Sequence, residues 1–271
     1  YDHQNRCHVA VKTLRHRKDQ HIIDTLVLEG AFLRYFSSTE LGRELTPRFV
    51  NFFYYKNNPY LVMEKSHTDL YEEMKRKWPQ GFPLGHVKTF AKQIFLWLKE
   101  AKNRKILHAD LKPKNLLLVK EGALRIKVAD LANSLLKEGT HCPYSVAQSL
   151  PYRAPEVLLE CPYDEAIDIW SAGATLYELA FNETLFPFDR EKNQLLTIIS
   201  FLNQVHPKGS IESLVDDSPQ RKKYFIKDSI TGHHQLKEQL KSCHKAVYHR
   251  FDYLLGKGRR RLLTLDKIED L

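Results

Sequence analysis

The stretch His108-Ala109-Asp110-Leu111-Lys112-Pro113-Lys114-Asn115 restricts this chain more than any other feature. It stands between two patterned segments. Before it, Val87, Phe90, Ile94, Trp97, Leu98 and Ala101 recur at helical spacing and predict one long amphipathic helix. After it, Leu116 to Val119 and Leu124 to Val128, joined by Lys120-Glu121-Gly122-Ala123, predict a β-hairpin. The loop between them carries a carboxylate at Asp110, an ammonium at Lys112 and, five residues beyond Asp110, an amide at Asn115. An ordinary charged surface loop is the competing reading. The spacing and the flanking elements disfavour it.

The rest of the chain divides by character. Val9-Ala10-Val11 ending at Lys12 predicts a strand. From about Ile22 to Phe36, the apolar residues Leu26, Leu28, Phe32, Leu33 and Phe36 predict a helix. Phe49 to Tyr55 and Tyr60 to Met63 predict two strands separated by a turn at Lys56-Asn57-Asn58-Pro59. Beyond a boundary near Glu64–Thr68 the pattern turns helical, with a buried helix over Ile167 to Leu179 and another over Leu195 to Val205. Lys208 to Arg250 is weakly patterned and polar, as expected of an insert of loops and short helices. The fold class is therefore α+β, a small mixed lobe over residues 1–64 and a larger helical lobe over 65–271. A length of 271 residues with 42% hydrophobic and 28% charged residues fits two closely packed lobes of an ordered globular protein. No apolar run reaches a membrane span, and the polar Tyr1 to Arg6 does not read as a signal peptide. The start without Met is that of a fragment. Cys7, Cys142, Cys161 and Cys243 lack metal-ligand spacing and read as reduced thiols of a cytoplasmic or nuclear protein. The net charge of +9 is spread along the chain, with one cluster at Lys257, Arg259, Arg260 and Arg261 that reads as solvated surface. There is no aromatic-interleaved basic motif, so no nucleic acid is expected as a direct partner.

Phosphoryl transfer needs a cation on the phosphates, oxygen ligands on a metal ion and an oriented acceptor hydroxyl. Asp110 is the candidate to accept the hydroxyl's hydrogen bond, Lys112 to neutralise the transferred group, and Asn115 to bind a metal. Fifteen residues past Asn115, Asp130-Leu131-Ala132 follows Ile126-Lys127-Val128-Ala129, which makes Asp130 the second candidate metal ligand. Lys12 closes Val-Ala-Val-Lys as the phosphate cation, and Glu29 on the next predicted helix is its candidate ion-pair partner. Pro151-Tyr152-Arg153-Ala154-Pro155-Glu156 matches an A-P-E segment, with Glu156 expected to pair with a buried arginine. Twelve residues on, Asp168 lies within an apolar helix and is expected to accept backbone N–H bonds from the loop at His108–Asn115.

In this order, Lys12, Asp110, Lys112, Asn115, Asp130, Glu156 and Asp168 resemble the eukaryotic protein-kinase superfamily, from Val9 to about Leu202. His108-Ala-Asp-Leu-Lys-Pro, Tyr152-Arg-Ala-Pro-Glu-Val-Leu-Leu159 and Tyr163-Asp-Glu-Ala-Ile-Asp168 are similar to the CMGC group and its DYRK-like branch, which includes pre-mRNA-processing and SR-protein kinases. The resemblance implies a bilobal protein-kinase-like fold that moves the γ-phosphate of ATP, with Mg, onto Ser/Thr hydroxyls of a protein substrate. It also implies that Met63 is the gatekeeper and that the backbone of Glu64 and Ser66 meets the adenine. The 208–250 insert has two readings, a docking site for a partner or a disordered insert, and the second is favoured.

Four departures stand against the pattern. Ala132 replaces a glycine, so a stiffer or misplaced metal loop is expected. Ala109 replaces an arginine that usually clamps an activation-loop phosphate. Val146 lies about where a phosphorylatable tyrosine is carried, with Tyr144 and Ser149 nearby. Only eleven residues precede Lys12, so the Gly-rich loop that the resemblance implies is expected to be missing from this stretch, as are the final helices of the larger lobe. These departures keep one alternative open, a catalytically weak pseudokinase acting as a protein-interaction scaffold. A small-molecule kinase is disfavoured, because the A-P-E segment shapes a groove for a polypeptide.

Overall fold

The computed structural model describes residues 7–14, 19–137, 147–186, 194–199, 202, 212–229 and 234–237. Strands β1 (Val9–Thr13), β2 (Phe49–Tyr55) and β3 (Asn58–Glu64) form an antiparallel sheet in the order β1-β3-β2. The turn between β2 and β3 is two residues long and not four. Lys56 and Asn57 both take left-handed backbone, with φ 48° and 58°, and Tyr55 pairs directly with Asn58. Two left-handed residues give a hairpin turn whose twist matches that of the strands. Asn58 and Pro59 thus belong to the strand, and Asn58 Nδ2 donates to Thr13 Oγ1 at 2.9 Å.

Helix α1 (Gln20–Phe36) packs on this sheet and is capped by Asp19, whose side chain accepts from the His21 N–H. It buries Leu26, Glu29, Gly30, Phe32, Leu33 and Phe36. Leu28 is 43% exposed, contrary to expectation, because it lies about 200° round the helix from Leu26. Gly30 sets the distance between helix and sheet. A Cβ there would stand 3.2 Å from Phe52 Cδ2 and 3.4 Å from Leu61 Cδ1.

A larger, mainly helical lobe follows. It is built from α3 (Leu70–Lys77) and α4 (Leu84–Asn103), then α5 (Pro155–Leu158) and α6 (Ala166–Phe181), with α2 (Glu40–Leu45) between the first two strands of the sheet in chain order. The predicted face of α4 is the buried one, from Val87 to Ala101. Short strands β4 (Thr68–Asp69), β6 (Leu116–Leu118) and β7 (Ile126–Val128) form one sheet, and β5 (Ile106–Leu107) pairs with β8 (Leu135–Leu136). One apolar cluster runs from Leu26, Phe36 and Leu61 through Met74, Phe90, Ile94 and Trp97 to Leu116, Ile126 and Leu131. Phe36 and Trp97 stack with ring centroids 5.4 Å apart, each adding about 2–3 kcal/mol by burial.

Residues 194–199 are helical, in agreement with the first part of the predicted Leu195–Val205 helix. Within the polar insert lie the short helices Glu212–Asp216 and Arg221–Tyr224 and a hairpin of Phe225–Lys227 with His234–Leu236. Val215 and Phe225 pack there against Leu159, Cys161, Leu195 and Ile199. The segment around Tyr144 and Val146, residues 238–250 of the insert and the basic cluster at 257–261 lie outside the described residues. Among the described residues no helix is long and apolar enough to cross a membrane.

Glu165, at the start of α6, joins three elements. It accepts hydrogen bonds from Lys102 Nζ on α4 at 2.8 Å and from Lys137 Nζ just past β8 at 2.6 Å. These two bonds pull its carboxyl down to about 2. A carboxyl held below its ordinary value stabilises the fold above that value and loses the contribution as pH falls towards the folded one. Glu165→Gln is therefore expected to cost about 1 kcal/mol at pH 7. In urea melts the difference from wild type should shrink steadily between about pH 5 and pH 2.

Candidate active site

The close approach at Gly30 brings the Glu29 carboxylate to the end of β1. Lys12 Nζ donates to Glu29 Oε2 and to Asp130 Oδ1, each at 2.7 Å. Glu29 is 1% exposed. Burial works against charge on Lys12, but the Glu29 and Asp130 carboxylates outweigh it and hold the ammonium above its ordinary value. Burial likewise pushes the Asp130 carboxyl up, and Lys12 overcomes it and holds it low. Lys112 also acts on Asp130 through its charge, so the lysine of the central loop lies within electrostatic reach of this cluster.

Asp130, two residues past β7, is in left-handed backbone, φ 62°. Short polar residues such as Asp are the side chains that tolerate this region. Ala132 falls inside the right-handed 3-10 turn Leu131–Asn133 and does not have a positive φ. Ala132 therefore carries no left-handed strain. The residue carrying the unusual angle is Asp130, and Leu131 beside it is fully buried in the core.

The loop at 108–115 is fixed from beneath by Asp168 on α6. Its Oδ2 accepts from the His108 N–H at 2.7 Å and its Oδ1 from the Ala109 N–H at 3.0 Å. Burial pushes the Asp168 carboxyl up, against the pull of His108 and these two donors. Ala109 is left-handed, φ 59°, and completely buried. Such backbone costs an alanine about 1–2 kcal/mol. The His108 ring takes its tautomer from two neighbours: Nδ1 accepts from the Asp110 N–H at 3.1 Å, so Nε2 donates to Ala129 O at 3.1 Å.

Asp110 is 5% exposed and its carboxylate is surrounded by donors. Lys112 Nζ donates to Oδ2 at 2.7 Å. The Ser149 N–H and Oγ donate to Oδ1 at 3.1 and 2.6 Å, while Ser149 Oγ accepts from Lys112 Nζ at 2.8 Å. Asn115 Nδ2 donates to Asp110 O at 2.8 Å, which leaves Asn115 Oδ1 without a hydrogen bond among the described residues. The Ala129 N–H donates to Asn115 O at 2.9 Å and ties the loop to the strand that leads into Asp130. Lys12, Glu29 and Asp130 thus form one cluster, and Asp110, Lys112 and Asn115 a second beside it.

Met63 pairs with Ala10 across the sheet, two residues along β3 from the Lys12–Leu61 pair, and packs half-buried against the core. Glu64 turns its carboxylate to the Arg48 N–H at 3.0 Å and to Lys127 Nζ at 2.5 Å. Ser66 Oγ is buried and has no hydrogen-bond partner among the described residues. Among the described residues Glu156 meets no arginine, so the expected partner falls outside them. The charged neighbour of Glu156 is Asp164, and burial pushes the Glu156 carboxyl up. Reading the sequence missed the contact of Ser149 with Asp110 and Lys112. These residues are 39 and 37 positions apart, and no local pattern announces a contact made only by the fold.

The family model of the protein kinase domain matches residues 1–250, and the chain belongs to that family. It is 35% identical over 227 residues to mouse dual specificity tyrosine-phosphorylation-regulated kinase 3, covering 83% of this chain and 37% of that protein. It is 34% identical over 241 residues to the probable serine/threonine-protein kinase dyrk2 of Dictyostelium discoideum, covering 86% and 25%. With human dual specificity tyrosine-phosphorylation-regulated kinase 4 the identity is 35% over 218 residues, covering 78% and 40%. The similarity to the DYRK branch holds, and the chain spans from a quarter to two fifths of the length of these curated relatives.

Proposed function

We propose that this chain is the catalytic core of a protein kinase that moves the γ-phosphate of ATP onto Ser/Thr hydroxyls of a protein substrate in the cytoplasm or nucleus. The observation that supports this most is the shared ammonium of Lys12, 2.7 Å from both Glu29 and Asp130, beside a second cluster centred on Asp110. In this reading Glu29 aims Lys12 at the α- and β-phosphates of the nucleotide. The residues up to Glu64 cover its adenine, with Met63 as gatekeeper and the backbone of Glu64 and Ser66 as hydrogen-bonding partners. Asp130 and the unbonded Oδ1 of Asn115 are oxygen ligands of the kind Mg²⁺ prefers. The metal ion, when bound, neutralises charge on the phosphate oxygens. Asp110 accepts the hydrogen bond of the acceptor hydroxyl and then its proton, and Lys112 donates to the transferred group. The scaffold alternative rested on Ala132 and on the missing Gly-rich loop; Ala132 has no positive φ, and the kinase-domain match and kinase relatives favour the enzyme reading.

The test is nucleotide-dependent stability together with turnover of Ser/Arg-rich peptides. Mg-ATP at 100 times Kd should raise the unfolding free energy by about 2.7 kcal/mol. Asp130→Asn should remove the magnesium dependence of that gain. No stabilisation and no turnover from a folded protein would overturn the reading.

A further inference from the structure

We propose that Gln148 is the positioning residue that holds Ser149 against Asp110 and Lys112, and so fixes the proposed base for the acceptor hydroxyl. The inference rests on the kinase reading above and adds a residue to which no role has yet been given.

Gln148 is 7% exposed, and its amide is bonded on both sides. Nε2 donates to Ile167 O and to Ser171 Oγ, each at 2.7 Å, and Oε1 accepts from the Ala154 N–H at 2.9 Å. Ser171 Oγ in turn donates to Tyr152 O at 2.8 Å. The main chain of Gln148 is held as firmly. Its N–H donates to Ala109 O at 2.7 Å, and its carbonyl accepts from Arg153 Nε at 3.2 Å and Nη2 at 3.0 Å. One residue thus links the loop of Asp110, helix α6 and the run from Tyr152 to Ala154.

The backbone angle explains why such anchoring is needed. Gln148 has φ 67°, a region that L side chains seldom adopt and that persists only where the surroundings over-determine it. The left-handed step reverses the chain, so that the N–H of Gln148 meets Ala109 O and the next N–H, that of Ser149, meets Asp110 Oδ1. Ser149 itself is in relaxed extended backbone, and among the described residues its hydroxyl bonds go to Asp110 and Lys112. Its place is therefore set by the residue before it. A buried amide is expensive unless every donor and acceptor is matched, and a methionine of the same length would fill the space without that requirement. The amide is matched here, and what its bonds secure is the turn into Ser149. Gln148 touches neither substrate nor reacting atoms. It acts through Ser149.

The experiment compares Gln148→Met, Ser149→Ala and the double variant in the full chain. Gln148→Met should lower kcat by about 10²-fold, the usual effect of a misplaced catalytic group, with KM for ATP within about twofold of wild type. Ser149→Ala should lower kcat about tenfold or more, and the double variant should fall no further than the worse single one. Losses that multiply would overturn the proposal. A second arm needs no turnover. Hydrogen exchange over residues 147–153 and 108–111 should quicken in Gln148→Met while α4 and β3 keep their protection. Unchanged exchange in both loops would also overturn it. If wild type itself turns nothing over, the kinase reading fails and the exchange arm alone decides the role of Gln148. Should Gln148→Met not fold, Ser171→Ala removes one of the same bonds, and a smaller change in the same direction is expected; no change there counts against the proposal.

Discussion

Asp110→Asn should abolish turnover and leave the fold in place, with kcat lower by about 10²- to 10⁴-fold, the range for losing a positioned general base. The substitution preserves shape, and the contacts say which functions it removes. The asparagine oxygen can still accept from the N–H and Oγ of Ser149, which now stand at 3.1 and 2.6 Å from Oδ1. The other position becomes an NH₂ facing Lys112 Nζ, 2.7 Å away, so donor meets donor and the lysine is released. Neither atom can then take a proton from an acceptor hydroxyl. The Lys12–Glu29–Asp130 cluster is untouched, so KM for ATP should change little and Mg-ATP should still raise the melting temperature. Steady-state kinetics beside a thermal melt separate the two effects. Turnover equal to wild type would show that Asp110 is not the base.

How much of this was legible beforehand depended on how local each signal is. The long face of α4 and the β6–β7 hairpin were readable because helix and strand periodicities repeat over several residues. Helix α2, with six residues, and strands of two residues such as β4 are too short to carry a period. The β2–β3 turn was misjudged because Pro59 reads as a breaker, whereas the left-handed pair Lys56-Asn57 closes the hairpin before it. In the site, Asp110, Lys112 and Asn115 are written in one octapeptide and were legible together. Lys12, Glu29 and Asp130 lie on three elements, and only their order in the chain pointed to one another. On helix propensity alone Gly30 is unfavourable within α1. In the fold it is what permits the close packing on Phe52 and Leu61. The concern about Ala132 failed for a related reason, since a residue name does not say which neighbour takes the unusual angle. Ser149 and Gln148 were beyond reach, because their partners are brought to them by α6 and the loop at 108–115.

The largest expected loss of stability comes from Asp168→Ala, about 3–5 kcal/mol, the cost of breaking a buried charged hydrogen-bond set. The carboxylate is 2% exposed and bonds the backbone N–H groups of His108 and Ala109. Removing it orphans two buried donors, the His108 and Ala109 N–H groups. It also releases Ala109 from one of its two backbone anchors while that residue is held in left-handed backbone. Against a total stability of roughly 5–15 kcal/mol, a loss of this size is a large fraction. The melting temperature should fall by about 10 °C. Asp168→Asn should do little better, because its single oxygen can serve one donor well and its NH₂ then faces the other. A melting temperature within about 2 °C of wild type for both variants would mean that other contacts hold the loop. In that case Gln148, whose N–H grips Ala109 O from the opposite side, and Ser134, whose Oγ donates to His108 O, hold the loop. If the fall is as large as expected, the same substitution should quicken exchange at residues 108–111 before the rest of α6 opens. The loop that carries Asp110 is thus held from one side by a buried carboxylate and from the other by the Gln148 N–H.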